Sequence, residues 1–194
     1  MFIDSHSHTK HFSGDARMNI SDLISGALSA SLKAVVITEH YDDDYPHKID
    51  TPMTCDIESY YESFQQWLTQ SPPSLELRFG IEMGYQSGLV NRYNNIVQNY
   101  PFDSVIMSSH LIYGIDPYLF RDCYDLGPKE LYSKYISDLV EIASGNCNFD
   151  ILGHYDYISR YAPYKDCKMY YDICPDEFDT LFRAMINSEK SLEI

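Results

Sequence analysis

Short apolar runs rich in β-branched residues alternate along the chain with longer stretches whose apolar side chains recur at helical spacing. The short runs predict strands at residues 2–4, 34–38, 75–83, 103–107, 149–152 and 191–194. The longer stretches predict helices at residues 19–32, 56–69, 89–99, 128–143 and 175–187. Such alternation is typical of an α/β fold with a parallel sheet or barrel, here as a single domain over residues 1–194.

The last predicted strand reaches the final residue, Ile194. A domain seldom ends in an exposed half-strand, because the backbone groups and apolar side chains of that strand then lack partners. We therefore expect either a fold that is truncated at its C-terminus or an atypical C-terminal end.

Composition narrows the classes of function. The chain carries 29 Asp and Glu residues against 14 Lys and Arg residues, a net charge of -15. This charge repels phosphate backbones, so nucleic acids and anionic membranes are not expected partners. No apolar run approaches the ~20 residues that span a bilayer. Five cysteines without CxxC spacing favour reduced thiols and a cytoplasmic location, and no pattern fixes an oligomeric state.

Side chains of the kinds that bind metals stand at the carboxyl ends of the predicted strands. Active sites of parallel α/β folds and barrels assemble at that end of the sheet. Neutral imidazole and carboxylate groups suit Zn, Mn and Fe ions. The residues in these positions are His6, His8, His40, Glu82, His110 and His154.

Two of these positions allow a more specific prediction. His6 and His8 are two residues apart, so both face the same side of an extended segment and can reach one ion. Glu82 can bridge two ions through its two carboxylate oxygens. The alternatives are that the histidine pair only decorates the surface, and that Glu82 is an ion-pair partner of Arg78 or Arg92.

Three further residues have two interpretations each. Asp15 is either a turn residue or a metal ligand. His110 is either a ligand or a core histidine bonded to a backbone carbonyl. Arg160, six residues after His154, either pairs with a carboxylate or binds a phosphate group through two hydrogen bonds.

The other polar groups are assigned to solvated loops. They are the acidic run at residues 42–44 and the two remaining histidines, His11 and His47. The sequence contains no GxSxG nucleophile elbow and no phosphate-binding GxxxxGK[ST] loop.

The order of the motifs resembles the polymerase and histidinol phosphatase (PHP) superfamily, and within it the PHP-type histidinol-phosphatases. The resemblance covers residues 2–194. It implies a distorted (β/α)7 TIM-like barrel of the PHP type with up to three divalent metal ions, Zn, Mn or Fe. The motifs that carry it are DSHSHT, FSGD, ITEH, GIEMG, SSH and DILGHYD, in this order along the chain.

The resemblance also implies a role for each candidate residue. His6 and His8 bind the first metal, and Glu82 bridges it to the second. His110 and His154 complete the second site, while Asp15 and His40 belong to the third. Arg160 matches a basic position near the substrate phosphate.

One family motif is not found in this sequence. The family carries an Asp-x-His motif on its last strand, and no Asp-x-His follows His154 here. The first and third sites would therefore each lack one protein ligand, which weakens metal affinity.

The implied activity is metal-dependent hydrolysis of a small phosphate ester, L-histidinol phosphate, to L-histidinol and phosphate in histidine biosynthesis. Glu82 and Arg160 are the expected catalytic residues, and Arg160 also binds the substrate. The alternatives are a phosphoesterase for another substrate, such as phosphotyrosine or a nucleotide, and a catalytically defective metal-binding module.

Overall fold

The apolar runs form six strands in the computed structural model, which describes residues 2–47 and 53–194. The strands hydrogen-bond in the order β1-β2-β3-β4-β5-β6, and the pairs β1–β2, β2–β3 and β5–β6 are parallel. The predicted α/β fold with a parallel sheet is therefore confirmed. The strands are β1 (Ile3–Ser7), β2 (Ala34–Tyr41), β3 (Glu76–Gly84), β4 (Ser104–Ser108), β5 (Ile151–Leu152) and β6 (Ser191–Leu192).

Five α-helices lie in the described residues, each within a few residues of its predicted position. Helix α1 begins with a capping box, in which the Asn19 side chain accepts the Asp22 N–H and the Asp22 carboxylate accepts the Asn19 N–H. The Asp56 side chain caps α2, and a proline opens both α4 and α5. The helices are α1 (Ile20–Ser29), α2 (Ile57–Leu68), α3 (Val90–Asn99), α4 (Pro128–Ser144) and α5 (Pro175–Ser188).

Strands β1 and β2 extend about three residues further than the apolar runs predict. Every residue of β2 is buried, and Tyr41 at its end also forms a bridge with Thr54. The longer strand places His40 directly beside Glu82 of β3 in the parallel register. These two ligand-type side chains thus lie on paired strands rather than in the loops that follow them.

The chain divides into two compact units, of which the first comprises Met1–Met83 and Asn95–Ile106. Its core is an aromatic cluster around Phe79, whose ring lies 4.8 Å from Tyr60, 5.1 Å from Phe64 and 4.6 Å from Phe102. The buried Tyr60 hydroxyl donates to the carbonyls of Ile37 and Gly80. This hydroxyl ties α2 to both β2 and β3, because the two carbonyls belong to neighbouring strands.

The second unit comprises Gly84–Asn94 and Met107–Ile194, and helix α4 packs against α5 within it. Buried tyrosines anchor its loops through their hydroxyl groups. Tyr124 donates to the carbonyl of Ile158, and Tyr135 donates to the carbonyl of Ser109. These bonds satisfy the phenol groups that burial removes from water.

Within residues 2–47 and 53–194, we find no helix whose length and apolar character would allow it to cross a membrane. All five cysteines lie in these described ranges, and none of them forms a disulfide.

Gly80 is a position at which β3 tolerates no side chain. A Cβ atom there would lie 2.7 Å from Val36 Cγ1, 2.9 Å from Thr38 Cγ2 and 3.0 Å from the Ser104 carbonyl oxygen. We expect Gly80→Ala to lower the free energy of unfolding by about 1–3 kcal/mol, because the strand must shift to relieve the overlap. Urea-induced unfolding measures this change.

Gly26 provides the matched control. It lies inside α1, and a Cβ atom there would meet no other atom within 4 Å. Gly26→Ala should raise stability by about 0.5–1 kcal/mol through helix propensity alone. Equal unfolding free energies for the two variants would contradict this account of β3.

Candidate metal centre

The carboxylate of Glu82 is completely buried in β3, and three imidazole nitrogens surround one of its oxygens. Glu82 Oε2 lies 3.2 Å from His6 Nε2, 3.5 Å from His8 Nε2 and 3.0 Å from His40 Nδ1. The side chains come from β1, the residue that follows it, β2 and β3. Strand β1 pairs with β2, and β2 pairs with β3. The sheet itself therefore brings the four side chains together.

Strand β1 is irregular in the segment that carries His6. Asp4 pairs with Val35 and Ser7 pairs with Ile37, so β1 holds one more residue than β2 between these two pairs. Bulges of this kind redirect side chains and occur often beside active sites. His6 lies within the irregular segment, and its ring centroid is 5.0 Å from that of His8.

The dimensions and donor types of this group fit a divalent cation. Ligand atoms from His8, His40 and Glu82 all lie within 4.8 Å of one another. With metal–ligand bonds of about 2.0–2.2 Å, two ligands of one four-coordinate ion lie roughly 3.3–3.6 Å apart. In addition, the Nδ1 atom of His8 is buried and makes no hydrogen bond within the described part of the chain. Imidazole and carboxylate donors of this kind accept Zn, Mn or Fe ions.

Burial sets the protonation state of His8. It lowers the pKa of His8 to about 4, and the nearby rings of His40 and His6 act in the same direction against the opposing charge of Glu82. His8 is therefore neutral at pH 7, which is the form that binds metals.

His40 lies in a strongly negative environment. Burial alone would lower its pKa, but the charge of Glu82 and hydrogen bonds with Asp15, Asp42 and Glu82 outweigh this effect and raise the pKa well above its usual value. The surroundings of this ring therefore favour positive charge, which either a proton or a metal cation can supply.

The structure also places the predicted ligand Asp15 beside His40. Asp15 Oδ2 lies 3.5 Å from His40 Nε2, although 62% of the Asp15 side chain is exposed. The hydrogen bond with His40 is the main cause that holds the pKa of Asp15 below its usual value. This pair has the composition of a second cation-binding position in the same unit.

The prediction that residues 42–44 form a solvated loop face is wrong for two of the three. Asp42 is 3% exposed and Asp43 is 8% exposed, whereas Asp44 is exposed. The Asp42 N–H donates to the Met53 carbonyl, so the returning chain covers the end of β2. Asp42 Oδ2 lies 3.4 Å from His40 Nδ1. In the sequence, the two-residue spacing is the signal that Asp42 and His40 face the same side of an extended strand.

Arg78 and His11 both have partners other than the candidate ligands. Arg78 does not pair with Glu82, because its Nε atom lies 2.9 Å from Glu76 Oε1. His11 is exposed and its ring packs 5.7 Å from that of Trp67. His11 thus takes the loop position that was expected for it.

In the second unit, His110 follows β4 and His154 follows β5, and the two side chains are in contact. Both are buried, and their stacked rings have centroids 5.3 Å apart. The ring of Tyr157 is 5.2 Å from each of them. The exposed guanidinium of Arg160 lies 5.9 Å from the centre of the Tyr157 ring, so this unit groups three of the candidate residues around one tyrosine.

The geometry around Glu82 predicts that His8 is needed for metal binding. We expect His8→Ala to weaken Co²⁺ or Zn²⁺ binding to the metal-free chain by at least about 100-fold. The variant loses a direct metal ligand, which costs more affinity than losing a group that only orients a ligand. Isothermal titration calorimetry measures the affinity. His11→Ala removes a histidine from the neighbouring loop and should bind metal as the wild type does. Equal affinities for His8→Ala and the wild type would exclude His8 as a ligand.

Sequence comparison finds relatives of this chain among known proteins. The chain is 32% identical over 195 residues to a protein of Clostridium acetobutylicum named as a probable histidinol-phosphatase, and it covers 72% of that protein. It is 26% identical over 193 residues to the histidinol-phosphatase of Lactococcus lactis and covers 70% of it. It thus spans about 70% of the length of these relatives.

A solved structure is similar over nearly the whole chain. It is the histidinol phosphate phosphatase of Lactococcus lactis in complex with Zn, L-histidinol and phosphate, which superposes with a TM-score of 0.90 at 26% identity. The match covers 99% of this chain and 72% of that structure. The family model described as the PHP domain matches residues 4–194, and with this match the chain belongs to the PHP family.

Proposed function

We propose that this chain is a divalent-metal-dependent phosphomonoesterase that hydrolyses L-histidinol phosphate to L-histidinol and phosphate. The observation that carries the proposal is the convergence of His6, His8 and His40 on one oxygen of the buried Glu82. Similarity over the full chain to proteins named histidinol-phosphatase supports the choice of substrate.

The proposed ligand assignment follows the family motifs. His6, His8 and Glu82 bind one cation, and Asp15 and His40 bind another. The assignment of His110 and His154 to a further cation, together with Glu82, remains a prediction from the motifs alone. When bound, divalent cations supply Lewis acidity, which neutralises charge on the phosphoryl oxygens and makes water a stronger nucleophile near neutral pH.

The protein's own groups prepare the reaction in two ways. The neutral state of His8 keeps its nitrogen lone pair available without a proton to displace. The Arg160 guanidinium is exposed and lies over the Tyr157 ring, so its planar donors are available to bind two oxygens of the substrate phosphate. His8 would thus hold a cation, and Arg160 would meet the negative charge that the phosphate ester brings.

The remainder of the substrate suits the aromatic and acidic character of the chain. Tyr118, Tyr161 and Tyr157 form a row, with ring centroids 5.2 Å and 5.5 Å apart, and Arg160 lies beside it. An imidazole ring can stack on such side chains. The net charge of -15 also favours a substrate with a positively charged amine over a nucleotide.

We expect Glu82→Gln to lower the turnover of L-histidinol phosphate by at least about 1000-fold in the metal-loaded chain, because the buried carboxylate that would hold the cation loses its charge. A phosphate-release assay measures the rate. Glu76→Gln provides the matched control, since Glu76 lies at the exposed start of the same strand and pairs with Arg78. Near-normal turnover in folded Glu82→Gln protein would contradict the proposal.

The same assay, run with phosphotyrosine and nucleoside monophosphates, separates the alternatives. A clear preference for L-histidinol phosphate supports the proposed substrate. Faster hydrolysis of phosphotyrosine would indicate a PHP phosphoesterase with a different role. Metal binding without hydrolysis of any of these esters would indicate a metal-binding module.

A further inference from the structure

Glu39 is a second fully buried carboxylate in the first unit, and the ligand set described above does not use it. It precedes His40 in β2, and alternation along the strand directs the two side chains to opposite faces. Burial raises the pKa of Glu39 above its usual value. A fully buried strand position normally holds an apolar side chain, because a buried carboxylate is costly unless hydrogen bonds compensate for it.

The Glu39 carboxylate is bound by the segment that follows β1. Its Oε1 atom accepts from the Thr9 N–H at 3.1 Å and from the Thr9 hydroxyl at 2.6 Å. Its Oε2 atom accepts from the Thr9 N–H at 3.2 Å and from the Ser13 hydroxyl at 2.5 Å. Both carboxylate oxygens therefore hold the same short segment.

The Ser13 hydroxyl connects this carboxylate to the metal-binding strand. It donates to Glu39 and accepts the N–H of His40 at 3.0 Å. The Thr9 carbonyl accepts the N–H groups of Phe12 and Ser13, which closes a tight turn. Residues 9–13 are thus fixed at both ends to β2.

Asp15 projects from the continuation of this turn. The Ser13 carbonyl accepts the Ala16 N–H, so Asp15 lies inside a second turn that begins at Ser13. Because more than half of the Asp15 side chain is exposed, packing does little to orient it. The position of its backbone therefore determines whether its carboxylate reaches His40.

We propose that Glu39 is a positioning residue, whose buried carboxylate holds the 9–13 turn so that Asp15 faces His40 and thereby sets the affinity of the cation site formed by these two residues. The inference rests on the metal centre proposed above. Groups that orient metal ligands typically change metal affinity by about 10–100-fold when they are removed.

Titration of the metal-free full chain with Co²⁺, followed by calorimetry and by the visible absorption of the bound ion, tests the inference. Asp15→Asn defines the loss of the Asp15–His40 site. Glu39→Gln should weaken Co²⁺ binding at one site by about 10–100-fold and should reproduce the Asp15→Asn spectrum.

A second pair of variants keeps the test valid if Glu39→Gln does not fold. Thr9→Val removes the hydroxyl that donates to Glu39 while keeping the shape of the side chain, and Thr9→Ser retains the hydroxyl. Thr9→Val should weaken Co²⁺ binding at the same site, and Thr9→Ser should restore it.

Ser71→Ala controls for a purely structural effect. It removes a hydroxyl in the same unit that donates to the Leu75 carbonyl, far along the chain from the 9–13 turn. It should keep the wild-type Co²⁺ affinity and spectrum. Equal weakening by Ser71→Ala, or wild-type binding by Glu39→Gln and Thr9→Val, would overturn the inference. Absence of Co²⁺ binding to the wild type would instead refute the metal centre itself, and the inference with it.

Discussion

The buried carboxylate of Glu82 is the constraint on which the rest of the site depends. A fully buried carboxylate is strongly destabilising unless positive or hydrogen-bonding groups surround it. Three imidazoles do so here, from two neighbouring strands and the residue after one of them. The arrangement attracts positive charge, and burial lowers the pKa of His8, so that its ring is neutral at pH 7 and open to a cation. A divalent cation is the partner that suits both facts.

The sheet supplies this geometry through its register. His40 pairs directly with Glu82, and two residues earlier Thr38 pairs with Gly80. The close approach of Val36, Thr38 and Ser104 to Gly80 keeps β3 tight against its neighbours just before the carboxylate. The Tyr60 hydroxyl binds the carbonyls of both strands at this level. Packing in the core thus fixes the distance between His40 and Glu82 more firmly than loops could.

Much of the fold could be predicted because its signals are local. Apolar runs, capping residues and prolines mark the strands and helices, and the motif order indicates the ligand types. The burial of Asp42 and Glu39 could not be predicted in this way. Asp42 is covered by the chain near Met53, and Glu39 is compensated by Thr9 and Ser13, which are 30 and 26 residues away. Such contacts depend on tertiary structure, so the sequence alone does not mark either carboxylate as buried.

The most direct test of the metal centre is a crystal structure of the chain grown with Zn²⁺, with diffraction data collected at the zinc absorption edge. We expect an anomalous peak about 2.0–2.2 Å from a carboxylate oxygen of Glu82 and from a ring nitrogen of His8. Anomalous peaks only at surface residues, with the Glu82 carboxylate still surrounded by the three imidazoles, would contradict it.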